Sequence, residues 1–70
     1  MKKYSVRIFY THDGKNLHMQ EEQFNTFEDA WHAANLVADF VQEVQIGSPD
    51  NKLLRVIYQG DLIYIAKERA

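Results

Sequence analysis

The chain has no cysteine, a single proline and only three glycines among its 70 residues. Without cysteine it has no disulfide, no thiolate ligand for zinc and no cysteine nucleophile. A chain of this length buries only about 60% of the surface that its unfolded form exposes, which leaves little room for an enclosed active site. Because 46% of the residues are hydrophobic, we expect a folded globule whose core is held by packing alone.

Long apolar runs are also missing from the sequence. No stretch approaches the ~20 apolar residues of a membrane-spanning helix, and residues 1–14 lack the hydrophobic segment and the cleavage site of a secretory signal. We therefore expect one small domain over residues 1–70, located in the cytoplasm and without membrane contact.

Basic residues are absent from the middle of the chain. Residues 16–51 carry seven Asp or Glu and no Lys or Arg, while the two flanking segments hold all eight basic residues and three acidic ones. The middle therefore carries −7, and eight positive against three negative charges give the ends +5. The formal net charge of −2 conceals an uneven distribution of charge along the chain.

Two strands and a tight turn are predicted at the start of the chain. Residues 4–10 alternate between two sets of side chains, as a half-buried strand does. The Asp-Gly pair 13–14 suits a two-residue type I′ turn, after which residues 16–24 return as a second strand. This turn places Ile8 opposite Met19 on the face that also carries Tyr4, Val6 and Tyr10.

A long helix is predicted in the acidic middle. Thr26 can cap its first turn, and Asp29 stands at the capping-box position three residues later. Apolar residues then recur at steps of three and four over residues 27–44, which indicates five to six helical turns, roughly 30 Å in length. Gly47 and Pro49 would end the helix.

A second hairpin is predicted at the end of the chain. Residues 53–59 and 62–67 read as strands, joined at Gly60 and Asp61 by a type II′ turn. The element order is then ββαββ. Since one helix can cover only one face of a sheet, we expect a two-layer α+β sandwich, with the long helix packed on one face of a four-stranded antiparallel sheet.

Catalytic and metal-binding patterns are weak. His12, His18 and His32 are the only histidines, and no pair of them has the spacing of a metal motif. Neighbouring carboxylates point in different directions in a strand or a helix, and there is no phosphate-binding glycine loop or nucleophile elbow. We therefore expect no enzyme activity, no cofactor and no metal site.

The sheet face that the helix leaves uncovered is the first candidate site. Seven residues are expected there: Arg7, Phe9, His18, Arg55, Ile57, Leu62 and Tyr64. An exposed apolar patch usually marks an interface, so we predict a homodimer through this face. The alternative is single-stranded nucleic acid stacked on the aromatic side chains, which the pI of about 5.8 and the lack of a basic stripe disfavour.

The solvent side of the predicted helix is the second candidate site. It carries acidic and amide side chains and no basic one: Glu28, Asp29, Asn35, Asp39, Gln42 and Glu43. One interpretation is a solvated surface that only aids solubility. The other is a docking surface for a protein with a basic surface, such as one that normally binds nucleic acid. On the second interpretation we predict a non-enzymatic, regulatory or inhibitory protein-binding module.

Overall fold

The computed structural model describes residues 3–11 and 13–66, which form one five-stranded antiparallel sheet and one short helix. In chain order the elements are β1 (Tyr4–Thr11), β2 (Leu17–Phe24), α1 (Phe27–Val37), β3 (Glu43–Gly47), β4 (Leu53–Tyr58) and β5 (Asp61–Ile65). The strands lie side by side in the order β2-β1-β3-β4-β5. The predicted four-stranded sheet with one long helix is therefore wrong, and the element order is ββαβββ.

The largest correction concerns the segment predicted as the second half of the helix. The helix ends at Val37, and Phe40, which lies within the predicted helix, is 84% exposed. Residues 43–47 form the central strand of the sheet, in which Val44 and Ile46 are buried. Gly47 does not end a helix but closes this strand. The positions of Val41, Val44 and Ile46 are compatible with the end of a helix and with the start of a strand. Backbone pairing with β1 and β4 shows that residues 43–47 form a strand.

The beginning of the helix is as predicted. Thr26 has an extended backbone and is the N-cap, and its hydroxyl oxygen accepts a hydrogen bond from the Asp29 amide at 3.2 Å. This bond satisfies one of the amides that the first helical turn leaves without a partner.

The first hairpin has a longer loop than predicted. The Asp13 carboxylate accepts hydrogen bonds from the Lys15 amide at 2.9 Å and the Asn16 amide at 3.2 Å, and these donors lower the pKa of Asp13 from its ordinary value. Met19 consequently pairs with Phe9, one residue away from the predicted register. Since β2 is exposed along almost its whole length, burial does not fix its register from the sequence.

The second hairpin also turns one residue earlier than predicted. Gln59 and Gly60 have positive φ angles of 50° and 86°, as a type I′ turn requires, and the two strands close on the pair of Tyr58 and Asp61. A bulge after Leu62 then shifts the pairing of the following residues. The predicted end of the last strand, at residue 67, lies outside the described residues.

The core lies between α1 and one face of the sheet. It consists of small and β-branched side chains: Val6, Ala30, Ala34, Ala38, Val44, Ile46 and Ile57. The helix packs over β1, β2 and β3, and no Cα atom of α1 lies within 8 Å of β4 or β5 as described. One end of the sheet is therefore without helix cover. Residues 3–11 and 13–66 include no helix with the length and apolar character needed to cross a membrane.

Candidate interaction surface

The two edges of the sheet differ in chemical character. The edge strand β2 carries Glu21 and Glu22 together with His and Gln side chains. The opposite edge strand β5 has one charged residue, Asp61, at its start, followed by four apolar residues. Exposed strand edges are usually protected against pairing by charged side chains or proline. By this criterion β2 is protected and β5 is not.

Five apolar side chains form what we call the β5 surface. They are Leu53, Leu62, Ile63, Tyr64 and Ile65, each between 40% and 62% exposed. Together they expose roughly 500 Å², divided between the two faces of the sheet, with Leu62 and Ile65 on the helix side and Tyr64 on the opposite side. An open groove of about 680 Å³ runs between residues 52–54 and residues 64–66, and most of its lining is apolar. No other strand of the described part of the chain lies along the outer side of β5.

The predicted uncovered face is only partly assembled. Arg7, Phe9 and Tyr64 do share the sheet face opposite the helix, since the strand registers place them on alternate positions of that face. The Arg7 guanidinium is not free there, because its Nε donates to Glu21 at 3.1 Å.

The other four predicted residues lie on the helix side of the sheet. His18 lies there because the register of the first hairpin is shifted by one residue. Arg55, Ile57 and Leu62 lie there because β4 pairs with β3, which places Ile57 opposite the buried Val44. Ile57 belongs to the core and is only 4% exposed, so it cannot contact a partner. A one-residue error in register moves every side chain of a strand to the opposite face, which explains the misplacement of His18. The other three are explained by the unpredicted strand β3, whose pairing with β4 decides which face of β4 meets the helix.

Arg55 lies on an aromatic cluster at the first turn of the helix. Its guanidinium carbon is 5.0 Å from the centre of the Phe27 ring and 5.9 Å from the Trp31 ring, and its Nη1 donates to the Leu54 carbonyl at 2.9 Å. The Phe27 and Trp31 rings stack on each other, and Tyr4 meets Phe27 edge to face. The cation–π contacts fix the position of the guanidinium.

The residues predicted for the acidic helix face are partly separated. Glu28 and Asp29 occupy the first turn of α1, where negative charge suits the positive end of the helix dipole. The Asn35 side chain donates to the Trp31 carbonyl at 2.8 Å. At 100° per residue, Glu28 and Asn35 project from the same side of the helix, whereas Asp29 does not. Asp39 follows the helix and is exposed.

Gln42 and Glu43 do not belong to the helix at all. The Gln42 amide donates to the Phe9 carbonyl at 3.0 Å, and its carbonyl accepts from the Gln59 amide at 2.8 Å. Glu43 begins β3 on the face opposite the helix, where it is half-buried and accepts a hydrogen bond from the Gln45 side chain. The prediction of one continuous acidic helix face is therefore wrong for Gln42 and Glu43.

The histidines do not converge on one place. His18 stacks on Tyr10 with ring centres 5.6 Å apart, His32 is exposed on α1, and His12 lies outside the described residues. Residues 3–11 and 13–66 contain no group of three or more His, Asp or Glu side chains that could hold a metal ion.

Leu62 and Tyr64 of the β5 surface were predicted as contact residues, whereas Leu53, Ile63 and Ile65 were not. A signal was present, because residues 62–65 are four consecutive apolar residues without a charge. The position of this strand at an edge depends on the strand order, which the sequence does not provide. The chain matches no protein-family model, and neither the curated proteins nor the solved structures give a significant match.

Proposed function

We propose that this protein is a non-enzymatic protein-binding module that forms a homodimer through β5. The observation that carries this proposal is the contrast between the charged edge strand β2 and the apolar, unprotected edge strand β5. A second β5 strand, running antiparallel to the first, would pair the outer amides and carbonyls of both. It would also bury apolar side chains on both faces of the joined sheet.

A second copy of the chain fits this surface in area and in charge. A standard interface takes about 800 Å² from each partner, and the five residues of the β5 surface expose roughly 500 Å², backbone included. Antiparallel pairing about a two-fold axis places the two Asp61 carboxylates at opposite ends of the paired strands, so the only charges of β5 do not meet. The same surface patch then serves both copies.

Sedimentation of a matched pair of variants tests the dimer. We expect the wild-type chain to sediment at twice its 8.2 kDa mass at micromolar concentration, and Ile63→Lys to sediment as a monomer with an unchanged circular dichroism spectrum. Met19→Lys is the control, because Met19 is similarly exposed on the other edge strand, and this variant should remain dimeric. A monomeric wild type, or an Ile63→Lys dimer, contradicts the proposal.

Docking of a basic partner protein is a second candidate, now confined to fewer residues. Glu28 and Asn35 lie on one side of α1, Asp39 follows the helix, and no described Lys or Arg forms an ion pair with either carboxylate. Electrostatic steering acts mainly on the association rate. We therefore expect Asp39→Lys to slow the binding of a basic partner protein several-fold, measured by surface capture at low salt. An unchanged rate would leave these carboxylates as solvated surface.

Binding of single-stranded nucleic acid receives less support. Of the two arginines expected on the uncovered face, Arg55 lies on the helix side and Arg7 is paired with Glu21. Glu43 lies between β1 and β4 on that same face. A phosphate backbone would meet negative charge there, whereas affinity for nucleic acid depends on positive charge.

A further inference from the structure

Arg55 holds a positive charge for which the described residues provide no acidic partner. The ion pair between Arg7 and Glu21 is the only one in residues 3–11 and 13–66. Arg55 is half-buried, and one of its five N–H groups is used by the Leu54 carbonyl. Its other N–H groups have no protein acceptor in residues 3–11 and 13–66.

A cavity lies beside Arg55. It has a volume of about 250 Å³ and is lined by Tyr4, Phe27, Ser48, Leu54 and Arg55. Two aromatic rings and a leucine side chain form its apolar part. The cavity lies between the first turn of α1, the start of β1 and the start of β4.

Ser48 adds a second donor to the cavity. Its hydroxyl oxygen accepts hydrogen bonds from the Asp50 amide at 3.2 Å and from the Lys52 amide at 3.0 Å. Since both acceptor positions of the oxygen are used by the loop, its O–H proton is available for another group. The polar side of the cavity therefore presents hydrogen-bond donors and positive charge.

We propose that this cavity binds a small organic acid, with the carboxylate on Arg55 and Ser48 and an apolar body against Tyr4, Phe27 and Leu54. A guanidinium offers parallel N–H groups that match the two oxygens of a carboxylate. The aromatic rings hold Arg55 in place, so that little side-chain freedom is lost when the ligand binds. The volume lies just below the usual range for drug-sized ligands, so it suits a single-ring acid rather than a nucleotide.

The only tryptophan of the chain gives a direct readout. Since the guanidinium lies 5.9 Å from the Trp31 ring, a carboxylate that binds to Arg55 should change the fluorescence emission of Trp31. Phenylacetate is the probe, and phenylacetamide is the control, because it has almost the same shape without the charge. We expect a saturable change with phenylacetate and none with the amide. Inorganic phosphate should bind more weakly because it has no apolar body.

Two variants locate the binding. Arg55→Lys keeps the charge and loses the planar fork, so we expect at least a tenfold weaker affinity for phenylacetate. Arg7→Lys is the matched control on the opposite face of the sheet and should leave the affinity unchanged. If Arg55→Lys fails to fold, the acid and amide titrations of the wild type decide alone. No saturable change with phenylacetate, an equal response to the amide, or equal affinities of the two variants overturns the proposal.

The proposed ligand site in the cavity and the proposed dimer through β5 can be tested independently of each other. The cavity is lined by residues of β1, β4, α1 and the loop before β4, and by none of β5. A monomeric Ile63→Lys variant should therefore bind phenylacetate as the wild type does.

Discussion

Individual side chains decide how the loops and the helix begin. The Asp13 carboxylate accepts hydrogen bonds from two backbone amides and thereby stabilises a longer loop than the Asp-Gly pair alone predicts. The Thr26 hydroxyl oxygen likewise accepts a hydrogen bond from one backbone amide, that of Asp29, in the first turn of α1. Both side chains are exposed, so each acts through hydrogen bonds to the backbone rather than through packing.

Loss of the helix cap should lower the stability measurably. We expect Thr26→Ala to reduce the free energy of unfolding by about 1 kcal/mol, because the Asp29 amide loses its acceptor. Asn25→Ala is the control, since Asn25 is also exposed and its side chain makes no hydrogen bond within residues 3–11 and 13–66. Urea unfolding of the three proteins measures the difference. Equal midpoints for the two variants would show that the cap contributes nothing.

At the scale of the elements, β3 is the strand that the sequence pattern does not predict. Its residues follow the helix after a short turn, and Val41 and Val44 continue the three-residue spacing of the helical stripe. Only the alternation of burial at Val44 and Ile46 distinguishes a strand, and over five residues this alternation is too short to outweigh the helical pattern. Local sequence therefore predicts β1, the N-cap and both hairpins.

The same local signals do not predict the registers or the strand order. The register of the first hairpin differs from its prediction by one residue, and this moves His18 to the helix side. Leu62 lies on that side because it pairs with Ile57, whose face is set by the pairing of β4 with β3. β5 lies at an edge because β4, its only neighbour in the described sheet, pairs with β3 on the other side. Because the candidate binding residues depend on register and strand order, most of the candidate site could not be located from the sequence.

A substitution at Ile46 distinguishes a central strand from a helix end. In the fold described here Ile46 is fully buried, so Ile46→Ala should lower the free energy of unfolding by about 2–5 kcal/mol. This loss is a large part of the stability of a small domain, and we expect a much lower melting temperature. Leu17→Ala, at an exposed position of β2, should change the stability by less than about 0.5 kcal/mol. Similar melting curves for the two variants would place residues 43–47 outside the core.

At the scale of the whole molecule, the helix is too short to cover the sheet. It packs over β1, β2 and β3, and it leaves the β4–β5 end with apolar side chains on both faces. The other end of the sheet is exposed as well, but its edge strand is charged. A dimer through β5 resolves this asymmetry, because the unprotected edges of two copies become the interior of a larger sheet.

Disulfide trapping tests this account most directly, and the absence of native cysteine makes it unambiguous. A two-fold axis across paired β5 strands brings the two copies of a mid-strand residue within the Cα–Cα distance of about 4–7 Å that a disulfide requires. We predict that Ile63→Cys forms a covalent dimer under mild oxidation at micromolar concentration, whereas Met19→Cys, on β2, remains monomeric on a non-reducing gel. A monomeric Ile63→Cys variant, or equal cross-linking of the two variants, would contradict association through β5.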